Sequence, residues 1–81
     1  MTKSLKNDKR EEGVYMFDHV KFKKLRENAG LTTYQLAEAV GVSQSMIAHM
    51  ERGVKKPSME VLARIADELG VTMDSLRKKE A

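Results

Sequence analysis

The sequence predicts an all-α fold of five short helices. Four of the five glycines each follow a stretch whose apolar residues recur at helical spacing: Gly30, Gly41, Gly53 and Gly70. Glycine is common directly after the last turn of a helix, because it readily adopts the left-handed conformation that ends many helices. No stretch alternates apolar and polar residues as a half-buried strand does. With 81 residues, the chain has room for one small domain with a modest core.

The first helix is predicted to begin after Asp18, whose carboxylate can accept hydrogen bonds from the amides of the first turn. Phe17 and Phe22 flank this cap at the spacing of a hydrophobic staple. The helical period continues to about Asn28, and the residues expected to face inward are Phe22, Leu25 and Ala29.

The second and third helices are separated by only a tight turn. Thr32 and Gln35 have the spacing of a capping box, in which each side chain bonds the other's backbone amide. Gly41 is expected to end the second helix and Ser43 to cap the third. The small side chain of Ala37 lets the two helices cross closely. Each start also carries a hydrophobic staple, formed by Leu31 with Leu36 and by Val42 with Ile47.

The fourth helix is predicted to open at Pro57–Ser58, and a short fifth helix to follow a Thr72 cap. Val71 and Leu76 would staple the fifth helix. The apolar residues of the fourth recur at helical spacing: Val61, Leu62, Ile65, Ala66 and Leu69.

The two ends of the domain differ in character. Residues 1–13 are polar and mixed in charge, and they are predicted to form a flexible tail. Residues 14–81 are predicted to form the folded domain. The run Val14–Phe17 is too apolar to belong to the tail, so we expect it to cover the core or a partner subunit.

Composition excludes several kinds of site. The chain has no cysteine, and His19 and His49 lack the spacing of a metal-ligand pair, so we expect no metal and no cofactor. Its longest apolar run is too short for a membrane span or a secretory signal. We therefore expect a cytoplasmic protein without a membrane partner. No paired carboxylates, nucleophile–base set or glycine-rich phosphate loop is evident, so we expect no enzyme activity.

The third helix presents a polar stripe. Ser45, Ala48, His49 and Arg52 lie at i, i+3, i+4 and i+7, and Gln44 stands at the first helical position. Carboxamide, hydroxyl, methyl and imidazole groups suit the edges of base pairs in the major groove. Two short helices joined by a tight turn with such a stripe are typical of a DNA-reading helix-turn-helix. Gln44 and Ser45 would also suit the exposed first turn of any helix.

Positive charges flank this helix pair. The net charge is only +3, and no lysine or arginine occurs between Arg26 and Arg52. Such an arrangement fits phosphate contacts at the edges and base reading in the middle. An ordinary solvated surface is the plainer interpretation. The flanking cations are Lys21, Lys23, Lys24 and Arg26 on one side and Arg52, Lys55 and Lys56 on the other, and Lys3, Lys6, Lys9 and Arg10 of the tail are less favoured phosphate contacts.

The helix pair resembles the Cro/repressor-type (XRE) helix-turn-helix family, and the likeness extends from about Asp18 to Leu76. The matching residues are Leu36, Ala37, Gly41, Val42 and Ile47, with Ser43–Gln44–Ser45 opening the third helix and Glu51–Arg52–Gly53 closing it. The resemblance implies that Gln44, Ser45 and His49 contact bases and that Thr33 and Arg52 contact phosphate. It also implies a structural ion pair between Arg26 and Glu51.

The function expected from these features is a sequence-specific transcriptional regulator, acting as a repressor. Such a protein would bind double-stranded DNA as a homodimer on a palindromic operator, with half-sites about 34 Å apart. The region expected to form the dimer seam includes Val71, Met73 and Leu76.

The alternative is a protein-interaction module or antitoxin that uses the same bundle to bind a regulatory partner protein. Tyr34, Met73 and the run Val14–Phe17 would then matter more than Gln44. Sequence-selective DNA binding by the isolated chain would favour the first function over this one.

Overall fold

A computed structural model describes residues 16–78. It confirms the predicted all-α fold class. The elements in chain order are β1 (Met16–Phe17), α1 (His19–Asn28), α2 (Thr33–Val40), α3 (Gln44–Glu51), α4 (Met59–Leu69), a 3₁₀ helix (Met73–Leu76) and β2 (Arg77–Lys78).

Every predicted helix start carries a side-chain cap, including Ser58, which the sequence placed at the start of the fourth helix without naming it as the cap. The side chains of Asp18, Thr32, Ser43, Ser58 and Thr72 each accept a hydrogen bond from the backbone amide three residues further on. The Thr32–Gln35 pair forms a complete capping box, with bonds of 3.0 Å and 2.9 Å. The four predicted terminating glycines all have positive φ. The boundaries of these helices are therefore set by local hydrogen bonding.

The expected fifth α-helix is wrong, because this segment is a 3₁₀ helix of four residues. It lies between the Thr72 cap and Arg77, which is extended at φ −115° and ψ 142°. A 3₁₀ helix closes its hydrogen bonds over three residues, so it fits a span too short for a regular α-helix.

A two-stranded ribbon joins the two ends of the described chain, although the sequence predicted no strand. Met16 pairs with Lys78 and Phe17 with Arg77 in antiparallel register, and the Asp18 amide donates to the Leu76 carbonyl at 2.9 Å. Strands of two residues are too short to show an alternating pattern. The predicted tail at 1–13, and Val14 with Tyr15, lie outside the described residues.

The core lies where α2, α3 and α4 meet α1 and the 3₁₀ helix. Its fully buried side chains include Phe22, Leu36, Ile47, Met50, Leu62, Ile65 and Leu76. Buried Ala37 and Ile47 lie in α2 and α3, as expected for a close helix crossing. Phe17 is buried too, and its ring centroid lies 5.3 Å from that of Phe22.

The sequence predicted the surroundings of two side chains wrongly. Ala29 is exposed, because α1 ends at Asn28 and Ala29 is its C-terminal cap. Leu76 is fully buried within the subunit, so its side chain is unavailable to a dimer seam. Val71 and Met73 are only half-buried.

Within residues 16–78, no helix is both long and apolar enough to cross a membrane.

Candidate nucleic-acid interface

Helix α3 lies with its apolar side in the core and its polar side outward. Ile47 and Met50 are fully buried. On the opposite side, Gln44, Ser45 and Arg52 are exposed, and Ala48 and His49 are half-buried. The polar stripe predicted from the sequence is therefore accessible within this subunit.

Gln44 is held by Thr33, its neighbour at the start of α2. The Gln44 Nε2 donates to the Thr33 Oγ1 at 2.8 Å. This bond uses one of the two amide hydrogens, while a bidentate contact with adenine needs one amide hydrogen and Oε1. The Thr33 hydroxyl is the acceptor in this bond, so the bond does not use its own hydrogen. No sequence pattern predicts this contact, because the two residues are eleven positions apart in different helices.

The segment after α3 carries the cations at the C-terminal end of the stripe. The amides of Val54 and Lys55 both donate to the His49 carbonyl, at 2.9 Å and 3.4 Å. The chain reverses direction at Gly53, which has φ +77°. The Gly53 amide donates to the Met50 carbonyl. Arg52, Lys55 and Lys56 are exposed. The backbone of the segment that carries these cations is therefore hydrogen-bonded to the last turn of α3.

His19 connects the start of α1 to the same segment. Its Nδ1 lies 3.1 Å from the Glu51 carbonyl, and this contact requires the proton to be on Nδ1. A methyl group placed on Gly53 would lie only 2.8 Å from His19 Nε2. The sequence suggested His19 only as a poor metal ligand, and a contact across 32 positions has no local signature.

Arg26 and Glu51 form an ion pair between α1 and the end of α3. Arg26 Nε and Nη2 bond the two Glu51 carboxylate oxygens at 2.5 Å and 3.2 Å. Arg26 Nη1 also donates to the Leu31 carbonyl at 2.7 Å. The side chains are only 11% and 10% exposed. The hydrogen bond to Glu51 raises the pKa of Arg26 above its usual value, against the opposing effect of burial.

Arg64 makes a further contact at the turn of the helix pair. It donates to the Val40 carbonyl at 3.3 Å and pairs with Glu60 at 2.7 Å. The carbonyls of a last helical turn lack partners within the helix, so this bond satisfies one of them. Helix α4 is thereby joined to the end of α2. Sequence reasoning missed Arg64, because its partner is a backbone carbonyl 24 positions away.

Comparisons with known proteins agree with this geometry. The sequence model of the helix-turn-helix family HTH_3 matches residues 22–76. An uncharacterized HTH-type transcriptional regulator of Mycobacterium tuberculosis is 45% identical over 51 residues, which are 63% of this chain and 36% of that protein. The HTH-type transcriptional regulator SutR of Escherichia coli is 37% identical over 60 residues, which are 74% of this chain and 34% of that protein.

A solved structure shows the same fold. The P22 c2 repressor in complex with a synthetic operator superposes with a TM-score of 0.73 at 25% identity, covering 80% of this chain and 98% of that one. The chain spans about a third of the length of the two curated relatives described above. The family match includes α2, α3 and the core residues around them. The chain belongs to the helix-turn-helix family HTH_3.

Proposed function

We propose that the chain is a sequence-specific DNA-binding transcriptional regulator that represses by occupying an operator. The observation that carries this proposal is the outer side of α3, where exposed Gln44 is anchored to Thr33 at 2.8 Å. An oriented amide on an exposed helix face is suited to reading a base edge. The P22 c2 repressor, which is similar in fold, was solved with an operator.

The proposed roles divide along α3. The residues proposed to contact bases are Gln44, Ser45 and His49, and those proposed to contact phosphates are Thr33, Arg52, Lys55 and Lys56. The Arg26–Glu51 pair is assigned to architecture, since both side chains are nearly buried.

The assembly proposed is a homodimer on a palindromic operator in the cytoplasm. Two copies of α3 would enter successive major grooves about 34 Å apart. With Leu76 inside the core, Val71 and Met73 remain as the half-buried apolar residues of the proposed seam.

The interaction-module alternative receives less support. Phe17, one of its proposed contact residues, is buried, and the exposed Tyr34 donates from its hydroxyl to Glu38 at 3.0 Å. We therefore favour DNA reading by α3.

Selection of bound sequences from random DNA tests the proposal directly. We expect inverted repeats, and single unpaired half-sites would contradict the homodimer. On the selected site, Gln44→Ala should cost about 1 to 3 kcal/mol of binding free energy and relax discrimination at one base pair. Lys55→Ala should weaken binding to all DNA similarly and reduce its salt dependence. Equal losses on selected and random DNA for both variants would contradict the role proposed for Gln44.

The Thr33 hydroxyl gives a second test. Thr33→Val removes the acceptor that holds Gln44 and should cost about 1 kcal/mol on the selected site. Thr33→Ser keeps a hydroxyl at the same position and should bind nearly as the parent chain does. The loss caused by Thr33→Val should shrink in a Gln44→Ala background, because the contact is then already absent. Equal losses for the serine and valine variants, measured by fluorescence anisotropy, would exclude the hydroxyl as the cause.

A further inference from the structure

A surface groove of about 320 Å³ lies between β1 with the start of α1 and the segment that follows α3. Small-molecule sites usually fall in the range of roughly 300 to 1,000 Å³, so this groove can take a few side chains. The residues that line it are Met16, Phe17, His19, Gly53, Val54, Lys55 and Lys56.

Two exposed apolar side chains border the groove. Met16 is 44% exposed and Val54 is 63% exposed, and both line it. Exposed apolar side chains gathered at a concave site favour an occupant that covers them with apolar groups of its own. The groove therefore suits a segment that brings at least one apolar side chain.

Lys55 gives the rim of the groove a positive charge. It is exposed, and no carboxylate within residues 16–78 forms an ion pair with it. Lys56 lies on the same rim but already has an interaction partner. Among the described residues that line the groove, Lys55 is therefore the cation available to an occupant that carries a carboxylate.

The segment directly before β1 has both chemical features. It runs into Met16, which lines the groove. An extended chain spans about 3.3 to 3.6 Å per residue, so Val14 stays within roughly 7 Å of Met16 and Glu12 within roughly 14 Å. The residues of this segment are Glu11, Glu12, Gly13, Val14 and Tyr15.

Covalent linkage favours this segment over a separate molecule. A short connection gives a tethered group an effective concentration of about millimolar, so weak contacts are enough to hold it. A second copy of the chain has a net charge of +3 and lacks this advantage. Residues 3–10 carry four cations, but they lie further along the chain from Met16 than the two glutamates do.

We propose that residues 11–15 fold back into this groove and screen Lys55 from DNA. Val14 covers Val54, and the carboxylates of Glu11 and Glu12 lie against the Lys55 ammonium group. Because Lys55 is a proposed phosphate contact, the segment leaves the groove before a phosphate binds there. The chain thus carries its own competitor of DNA. Docking itself does not depend on the proposed function, whereas the competition rests on it.

Nuclear Overhauser effects in the full-length chain test the docking. We expect cross-peaks between the methyl groups of Val14 and Val54. Glu11→Gln combined with Glu12→Gln should weaken them, because this variant removes the negative charges and keeps side chains of nearly the same shape. Absence of any cross-peak between residues 11–15 and Val54 in the parent chain would overturn the proposal.

Val54→Ser tests the competition with DNA without changing a charge. It removes the apolar contact that holds the segment, and it should lower the Kd for random DNA about threefold. Val20→Ser is the matched control, because Val20 is 64% exposed but does not line the groove, and it should bind as the parent chain does. If Val54→Ser bound DNA no more tightly than the parent chain, the competition would be excluded.

A pair of charge variants separates screening of Lys55 from the effect of net charge. Glu11→Gln with Glu12→Gln should lower the Kd for random DNA more than Asp67→Asn with Glu68→Gln, which removes the same charge from exposed positions of α4. In the first background Val54→Ser should have no further effect. Equal gains for the two charge variants would contradict the competition. Failure of the chain to bind any DNA would contradict the proposed function, while the cross-peaks still decide the docking.

Discussion

Glu51→Ala is expected to lower the free energy of unfolding by about 3 to 5 kcal/mol, the range for breaking a buried ion pair by removing one partner. The variant leaves the Arg26 guanidinium, whose side chain is only 11% exposed, without its nearest carboxylate. The carboxylate of Glu27 remains at 3.9 Å, but it is 55% exposed and screened by water. For a domain of this size each kcal/mol corresponds to roughly 4 to 8 °C in melting temperature. Thermal unfolding followed by circular dichroism measures the shift.

The exposed pair Arg64–Glu60 is the matched control. Its charged atoms are 2.7 Å apart, but its side chains are 51% and 74% exposed. Water screens such a pair, so Glu60→Ala should cost no more than about 1 kcal/mol. If Glu51→Ala and Glu60→Ala lowered stability equally, burial of the Arg26–Glu51 pair would not be the source of its effect.

A second variant separates charge from hydrogen bonding. Glu51→Gln keeps an oxygen that accepts from Arg26 but removes the negative charge. We expect its stability to lie between those of the parent chain and Glu51→Ala. Replacing both partners by apolar residues should recover only part of the loss, because the Leu31 carbonyl would lose the bond from Arg26 Nη1.

The sequence predicted what depends on neighbouring residues. Caps such as Thr32 and Ser43 act on amides three positions away, so their spacing alone locates the helix starts. The outward face of α3 also followed from helical period, because Ile47 and Met50 must be buried on the other side. The Arg26–Glu51 contact was suggested by the family resemblance and not by spacing.

What the sequence missed depends on contacts between distant segments. His19 and Gly53 meet only because α1 begins beside the end of α3. The ribbon of β1 and β2 arises from the same packing, since it joins residues about 60 positions apart in the chain. The 3₁₀ helix was mistaken for an α-helix because its cap and staple serve both forms, and the length between them decides.

These distant contacts converge on the end of α3. Arg26 bonds the Glu51 carboxylate, and His19 bonds the carbonyl of the same residue. Helix α1 therefore holds the C-terminal turn of α3 at two points. The segment carrying Arg52 and Lys55 continues from that turn, so α1 also determines where these proposed phosphate contacts stand.

Gly53→Ala should reveal this dependence, with a loss of about 2 to 3 kcal/mol in the free energy of unfolding. Alanine at φ +77° costs about 1 to 2 kcal/mol through backbone strain. Its methyl group would also lie 2.8 Å from His19 Nε2, which forces the ring away. Moving the ring breaks the bond between His19 Nδ1 and the Glu51 carbonyl, worth about 1 kcal/mol. Chemical denaturation measures the total.

Gly30→Ala isolates the strain, because Gly30 has φ +74° and no neighbouring atom within 4 Å of the added methyl. It should cost about 1 kcal/mol less than Gly53→Ala, as it displaces no side chain. In a His19→Ala background the ring is already absent, so the cost of Gly53→Ala should fall to that of Gly30→Ala. Gly53→Ala alone should also weaken binding to random DNA, since Arg52 and Lys55 follow the displaced backbone. If both glycine substitutions lowered the free energy of unfolding of the parent chain equally, the His19 ring would move aside without loss of stability. His19 would then not position this segment.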